Sequence, residues 1–242
     1  MMRTASLIIT VVFFLAPAAF AQQTPGQKRQ EAQLERLQKQ FSEAYNRSQF
    51  AESEKIAHEA LSIAQSAYGL DSPKVAEVLT NIAVALEAQS RYSELEPLLK
   101  RALEIREHTL GPKHPEVAKS ISNLAGLYGY LGEYDKSEPL YRQALAIREE
   151  TLGPNSALVA TSLSELAGTF RGQGKLREAE PLLKRAITIW ETALGPDTPL
   201  LIPVLNTYSE ILKELGDTRK STLLENRIEQ IRQKRDAGLQ TR

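Results

Sequence analysis

Gly69, Gly111, Gly153 and Gly195 stand 42 residues apart, and the text between them repeats. Residues 111–152 and 153–194 agree at seventeen of 42 positions without a gap. A chain that writes one short unit several times must fold as that unit, stacked on itself. With the glycine as position 1, position 7 is Val75, Val117 and Val159. Position 14 is Ile82, Leu124, Leu166 and Tyr208, position 15 is Ala83, Ala125, Ala167 and Ser209, and position 34 is Ala102, Ala144 and Ala186.

Each unit divides into two helical patterns. In the first, Val117, Ile121, Leu124, Ala125 and Tyr128 form one stripe at helical spacing. Ser72-Pro73, His114-Pro115 and Thr198-Pro199 each put a hydrogen-bonding side chain before a proline, which suits an N-cap and a first helical position. A second helix follows Gly132, Gly174 and Gly216. Ser93-Glu94-Leu95-Glu96 and Asp135-Lys136-Ser137-Glu138 are expected to be capping boxes at its start. Pro97, Pro139 and Pro181 then fall in its first turn or just after, where a missing N–H costs little. The next unit's glycine ends it. One such pair cannot bury its own apolar face, so neighbours must stack: the expected fold is all-α, an α-solenoid of antiparallel helix pairs.

Whole units are 69–110, 111–152 and 153–194. Residues 31–68 match in the second helix, while their first helix, striped by Leu34, Leu37, Phe41 and Ala44, is crowded with charge and is read as an N-terminal capping unit. Residues 195–236 form a degenerate C-terminal capping unit. Pro203 interrupts its first helix, and the segment from Thr222 to Arg235 is charged on most faces. Residues 22–30 read as a flexible linker and 237–242 as a tail.

The first 21 residues differ from the rest. MMRTASLIITVVFFLAPAAFA has one charge, Arg3, then an apolar core from Leu7 to Leu15, and Ala19-Phe20-Ala21 fits a small-x-small cleavage site. A secretory signal peptide cut after Ala21 is expected, the alternative being an uncleaved membrane anchor. The apolar core is short for a span of roughly 20 residues, and the absence of cysteine excludes a lipoprotein anchor. The 30 basic and 30 acidic residues become 29 and 30 once Arg3 is removed. That balance gives no long-range field for nucleic acid or an anionic membrane. Zero cysteines also leave no disulfide framework and no thiolate chemistry.

Alanine at position 15, glycine at 22, tyrosine or leucine at 24 and alanine at 34 resemble the tetratricopeptide repeat. The 42-residue length, with LGPKHPEVA, SNLAGLY and YDKSEPLYRQALAIREETLG, is similar to the kinesin-light-chain type of that repeat. The resemblance covers about residues 45–228. It implies a protein or peptide partner held along a concave groove lined by the first helices, with no catalysis and no cofactor. Positions 9, 12, 16, 19 and 20 would face that groove, with 13 at its margin. The candidate partner-binding residues are therefore Thr80, Asn81, Val84, Ser122, Asn123, Gly126, Tyr130, Ser164, Glu165, Gly168, Arg171 and Asn206. Family members often carry asparagine here, and Asn81, Asn123 and Asn206 keep it. The basic pair of a carboxylate clamp is missing at positions 12 and 16, so the clamp is not carried over.

Gly126, Gly129, Gly168 and Gly172 lie on first helices, where each costs roughly 1 kcal/mol against alanine. Either they make a floor for a partner's backbone, with Tyr130 and Arg171 as walls, or Gly126 and Gly168 serve tight helix–helix packing. His108 and His114 flank a turn without a third metal ligand beside them. Trp190 replaces the arginine of Arg106 and Arg148 and is expected to pack against the last unit. No nucleophile elbow, phosphate loop or carboxylate pair is evident. The expected function is a secreted, bacterial-periplasmic adaptor, a monomer or weak homo-oligomer, spanning no membrane after cleavage. A self-associating scaffold and an enzyme with an unrecognised site are the competing readings.

Overall fold

A computed structural model describes residues 24–240. The expected signal peptide and its cleavage site lie outside these residues. The described chain holds ten α-helices and no strand: α1 (Pro25–Asn46), α2 (Phe50–Tyr68), α3 (Pro73–Ala88), α4 (Leu95–Leu110), α5 (Pro115–Tyr130), α6 (Tyr134–Leu152), α7 (Ala157–Gly172), α8 (Leu176–Leu194), α9 (Leu201–Glu214) and α10 (Thr218–Gln240). A 3-10 turn, Tyr92–Glu94, precedes α4. Each helix packs on the next in sequence. In addition α5 touches α7 and α7 touches α9, while the second helices of successive units are more widely spaced. The first helices thus form the inner wall of a stack of helix pairs, an all-α solenoid.

Local chemistry sets the helix ends. Ser72 Oγ accepts from the Val75 amide at 3.4 Å, His114 Nδ1 accepts from the Glu116 amide at 3.1 Å, and Pro73 and Pro115 follow them as first residues. Gly111 closes α4 at φ +85° and ψ 154°, a region essentially closed to residues with a Cβ. That conformation explains the glycine that marks every unit.

Five boundaries differ from expectation. Residues 25–30 are helical, not linker, because Thr24 and Gln27 close a reciprocal capping box, with amide-to-side-chain bonds of 2.9 and 3.2 Å, and Pro25 opens the helix. Likewise α10 runs through residue 240 into the expected tail. The two expected capping boxes are not formed. The turn at Gly132 starts α6 already at Tyr134, so Ser137 faces inward and donates to the Ala125 carbonyl at 2.8 Å. In the unit before, Ser93 is spent in the 3-10 turn. Finally, Thr198-Pro199 does not open α9. Pro203 has no N–H and its ring would press on the carbonyl of residue 199, so the helix begins at Leu201, with Pro203 in its first turn.

The core runs the length of the stack. Leu103 and Leu140 bridge neighbouring clusters that include Ile82, Ile121, Leu163, Leu183 and Leu205. Each such side chain contributes about 1.5–3 kcal/mol on burial. The ends are thinner. From α1 only Leu37, Phe41 and Ala44 are buried, and from α10, among the residues whose side chains are described, a single stripe of Ser221, Ile228 and Ile231. Trp190 is half-buried against the cluster that holds α9 and α10. No helix among the described residues is long and apolar enough to cross a membrane.

Candidate functional site

An open pocket of about 320 Å³ lies midway along the stack, lined mainly by α3 and α5, with Tyr92 of the 3-10 turn, Leu95 and Leu99 of α4, Tyr141 of α6 and Glu165 of α7. Seven of the twelve candidates line it: Thr80, Val84, Ser122, Asn123, Gly126, Tyr130 and Glu165. The other five lie elsewhere. Asn81 lines a cavity of about 50 Å³ beside α1. Ser164 and Asn206 are half-buried, and Gly168 is exposed. Arg171 donates to Glu214 at 2.8 Å and pairs with Glu210, so its charge is already met within the chain.

Two buried arginines set the electrostatics behind the pocket. Arg106 and Arg148 occupy the same repeat position and are 6% and 7% exposed. Arg106 Nη1 donates to Thr80 of its own unit at 3.2 Å and to Ser120 of the next at 2.6 Å. Arg148 makes the second of these bonds, to Ser162, but not the first. It lies instead 3.7 Å from Glu165 Oε2, too far for a hydrogen bond. Ser122, the counterpart of Thr80, is left over. Ser122 Oγ and Glu165 Oε2 are both shut off from solvent with no hydrogen-bond partner among the described residues. Burial pushes the Glu165 carboxyl above its ordinary value, with Arg148 opposing. Burial, and then the Glu165 charge, hold the Tyr141 phenol far above its usual range.

The rim is aromatic. Tyr130, 65% exposed, stacks on Tyr92 with ring centroids 3.9 Å apart. Below it the glycines divide. A Cβ at Gly126 would stand 3.2 Å from the Tyr141 hydroxyl and one at Gly129 3.3 Å from Ser137 Oγ, while one at Gly172 would run into the Tyr134 ring. A Cβ at Gly168 would meet no described atom within 4 Å. Three of the four thus serve close packing, and Gly168 alone leaves open surface.

Tyr92, Glu87 and Tyr141 were not among the groove candidates, yet all three line the pocket. Glu87 sits at groove-facing position 19, which was signal enough. Tyr141 comes from a second helix, and its only sequence trace is the glycine opposite it. His114 is occupied as an N-cap, and among the described residues no three His, Asp or Glu side chains are grouped as a metal site.

An all-α stack of helix pairs with a polar inner groove defines the class: a helical-repeat interaction scaffold. The tetratricopeptide-repeat sequence family matches residues 36–107, 80–150, 118–192 and 158–234, and the chain belongs to that family. Its 42-residue units resemble those of kinesin-light-chain-like solved structures. A Podosopora anserina putative kinesin light chain with nearly identical TPR-like repeats superposes with a TM-score of 0.72 at 21% identity, covering 89% of this chain and all of that one. BtubC (BKLC) from P. vanneervenii gives 0.76 at 22% identity, covering 86% and 83%. Pseudomonas aeruginosa pilF gives 0.60 at 12%, covering 85% and 78%. No curated protein matches the sequence.

Proposed function

We propose that this chain is an exported, non-catalytic adaptor that holds a polypeptide partner against the middle of its inner groove. The carrying observation is convergence: seven residues chosen by repeat position line one pocket, and it contains buried polar atoms without partners among the described residues. Buried polar atoms are nearly always bonded in folded proteins, and an unbonded one costs about 1–3 kcal/mol. A partner's donors in the groove would remove that cost. The export half rests on the N-terminal pattern of residues 1–21.

Photo-crosslinking in the source cell tests the groove. A benzoylphenylalanine at Asn123 or Val84 is expected to give discrete adducts that the same group at Gln143, on a second helix, does not. Equal labelling from Gln143, or none from the groove, refutes the reading. Adducts containing only a second copy of the chain replace it with self-association. N-terminal sequencing of the recovered protein is expected to begin at Gln22, and retention of Met1 or Met2 refutes cleavage.

A further inference from the structure

Building on the adaptor reading, we infer that the mid-groove pocket takes an arginine side chain of the partner, its guanidinium between Glu165, Ser122 and the Tyr92–Tyr130 pair.

Charge is the first ground. Two carboxylates, Glu87 and Glu165, line the pocket, and among the described residues no lysine or arginine does. Nearby cations are already engaged. Arg148 is buried on Ser162 beside Glu165, Arg91 is forked between Glu94 and Glu54, and Arg171 lies between Glu210 and Glu214. A carboxylate or phosphate entering here would meet like charge and no cationic donor.

Unmet bonding is the second ground, and it is independent of charge. Ser122 is 6% exposed and lines the pocket, and its Oγ has no partner among the described residues. Glu165 Oε2 is in the same condition. Both atoms are already shut off from solvent, so an apolar side chain leaves their cost in place, whereas a donor that reaches them removes it. The occupant that gains most is therefore one that donates to more than one acceptor.

The third ground separates guanidinium from ammonium. Tyr130 stacks on Tyr92 at an interplanar angle of 24° and is mostly exposed, so an aromatic face stands at the pocket mouth. A planar guanidinium stacks on such a face while its fork of five donors reaches two acceptors. An ammonium is a compact, strongly hydrated point charge that gains less there. Val84, Leu95, Leu99 and Leu127 supply apolar wall for the methylene stem.

The test uses capped pentapeptides, acetyl-Gly-Ala-Xaa-Ala-Gly-amide, titrated into the isotopically labelled full chain and followed by backbone amide shifts. Xaa is arginine, citrulline, lysine or glutamate. The arginine peptide is expected to move the Ser122, Asn123, Gly126 and Glu165 amides saturably. Citrulline, nearly the same shape without charge, is expected to bind about tenfold more weakly, as loss of a charge-assisted bond implies. Lysine is expected to fall between them. Glu165→Gln is expected to weaken the arginine peptide about tenfold. Glu87→Gln, which leaves the Arg148 neighbourhood intact, is expected to weaken it several-fold, and Tyr130→Ala likewise. Circular dichroism melts identify any variant that has lost its fold. The inference is overturned if citrulline or lysine binds as tightly as arginine, if glutamate binds the pocket better, or if the folded Glu87→Gln and Tyr130→Ala variants both bind undiminished. Failure of the peptide series while Asn123 still crosslinks sinks this inference alone. Loss of the crosslinks sinks the groove reading beneath it.

Discussion

Gly126 and Gly168 occupy the same position in successive repeats and are written identically in sequence, yet the structure requires different responses to alanine. Both lie within helices, α5 and α7, where alanine is favoured over glycine by about 1 kcal/mol. At Gly168 the new Cβ meets no described atom within 4 Å, so the whole gain is expected. In a chain of this size that raises the melting temperature by about 2–4 °C. At Gly126 the Cβ would stand 3.2 Å from the Tyr141 hydroxyl, inside ordinary van der Waals contact. Tyr141 is 8% exposed and packed in the core, so it cannot swing out freely. Overpacking of this kind costs about 1–3 kcal/mol, which cancels the propensity gain or reverses it. Urea midpoints at unchanged m-value measure both effects. Tyr141→Phe removes the offending oxygen, and in that background Gly126→Ala is expected to recover about 1 kcal/mol. Equal stabilisation at the two glycines in the natural background would refute the packing account, and so would the absence of recovery in the phenylalanine background.

Ser48 and Ser90 sit at φ 58° and 60°, where later units have glycine. Since that region costs a residue with a Cβ about 1–2 kcal/mol, Ser90→Gly is expected to raise the urea midpoint and Gly111→Ala, at φ +85° and ψ 154°, to lower it. A gain from Gly111→Ala would show that the repeat glycine is not conformational. Stability against pH gives a third check. The Glu165 carboxyl is raised above its ordinary value of 4.5 by burial, so the folded chain binds that proton more tightly than the unfolded chain. The stabilisation it lends is full below 4.5 and lost as pH rises through the raised value. Glu96 and Glu180 are lowered, first by their bonds to Lys100 and Lys184, and act with the opposite sign, losing their contribution as pH falls. Between about pH 4 and pH 7, wild type is therefore expected to lose stability relative to Glu165→Gln. A relative gain over that range would contradict the assigned burial.

The helices were legible because repetition averages out local ambiguity. The stripe of Val117, Ile121, Leu124 and Ala125 recurs in register, and proline marks the start of α3 and α5. Helix starts were misread where one sequence serves two geometries. Asp135-Lys136-Ser137-Glu138 satisfies a capping-box pattern, but a cap must point at its own backbone, and Ser137 points across to the Ala125 carbonyl. Only the positive-φ turn at Gly132 decides between them. The groove residues of the first helices were legible from repeat position. Tyr141 was not, because a second-helix side chain reaches the groove only where the facing first-helix residue is small. Gly168 is as small as Gly126, but position 31 of its unit is Leu183, shorter than tyrosine and completely buried, so nothing fills the space. Pair size across two helices, not either residue alone, carries that information.

The one repeat change with the largest reach is asparagine to glutamate at position 13, Asn123 against Glu165. Arg106 shows what the buried arginine does without a carboxylate in contact: it bonds Thr80 on one side and Ser120 on the other. Arg148 keeps Ser162, faces Glu165 and leaves Ser122 unbonded. If Glu165 causes that displacement, the cost of Ser122→Ala must depend on residue 165. In the natural background the substitution removes a buried hydroxyl that has no partner, and the expected effect is neutral or stabilising by up to about 1 kcal/mol. With Glu165→Asn in place, Arg148 is free to turn back to Ser122, and the same Ser122→Ala then breaks a bond to a charged group, costing about 1.5–3 kcal/mol. The double-mutant cycle should thus show a coupling of about 1.5 kcal/mol or more, with a change of sign. An equal cost in both backgrounds would mean that Arg148 is held by its packing rather than by Glu165. The unmet hydroxyl would then reflect backbone geometry, and the chemical reason for placing a donor in this pocket would rest on Glu165 alone.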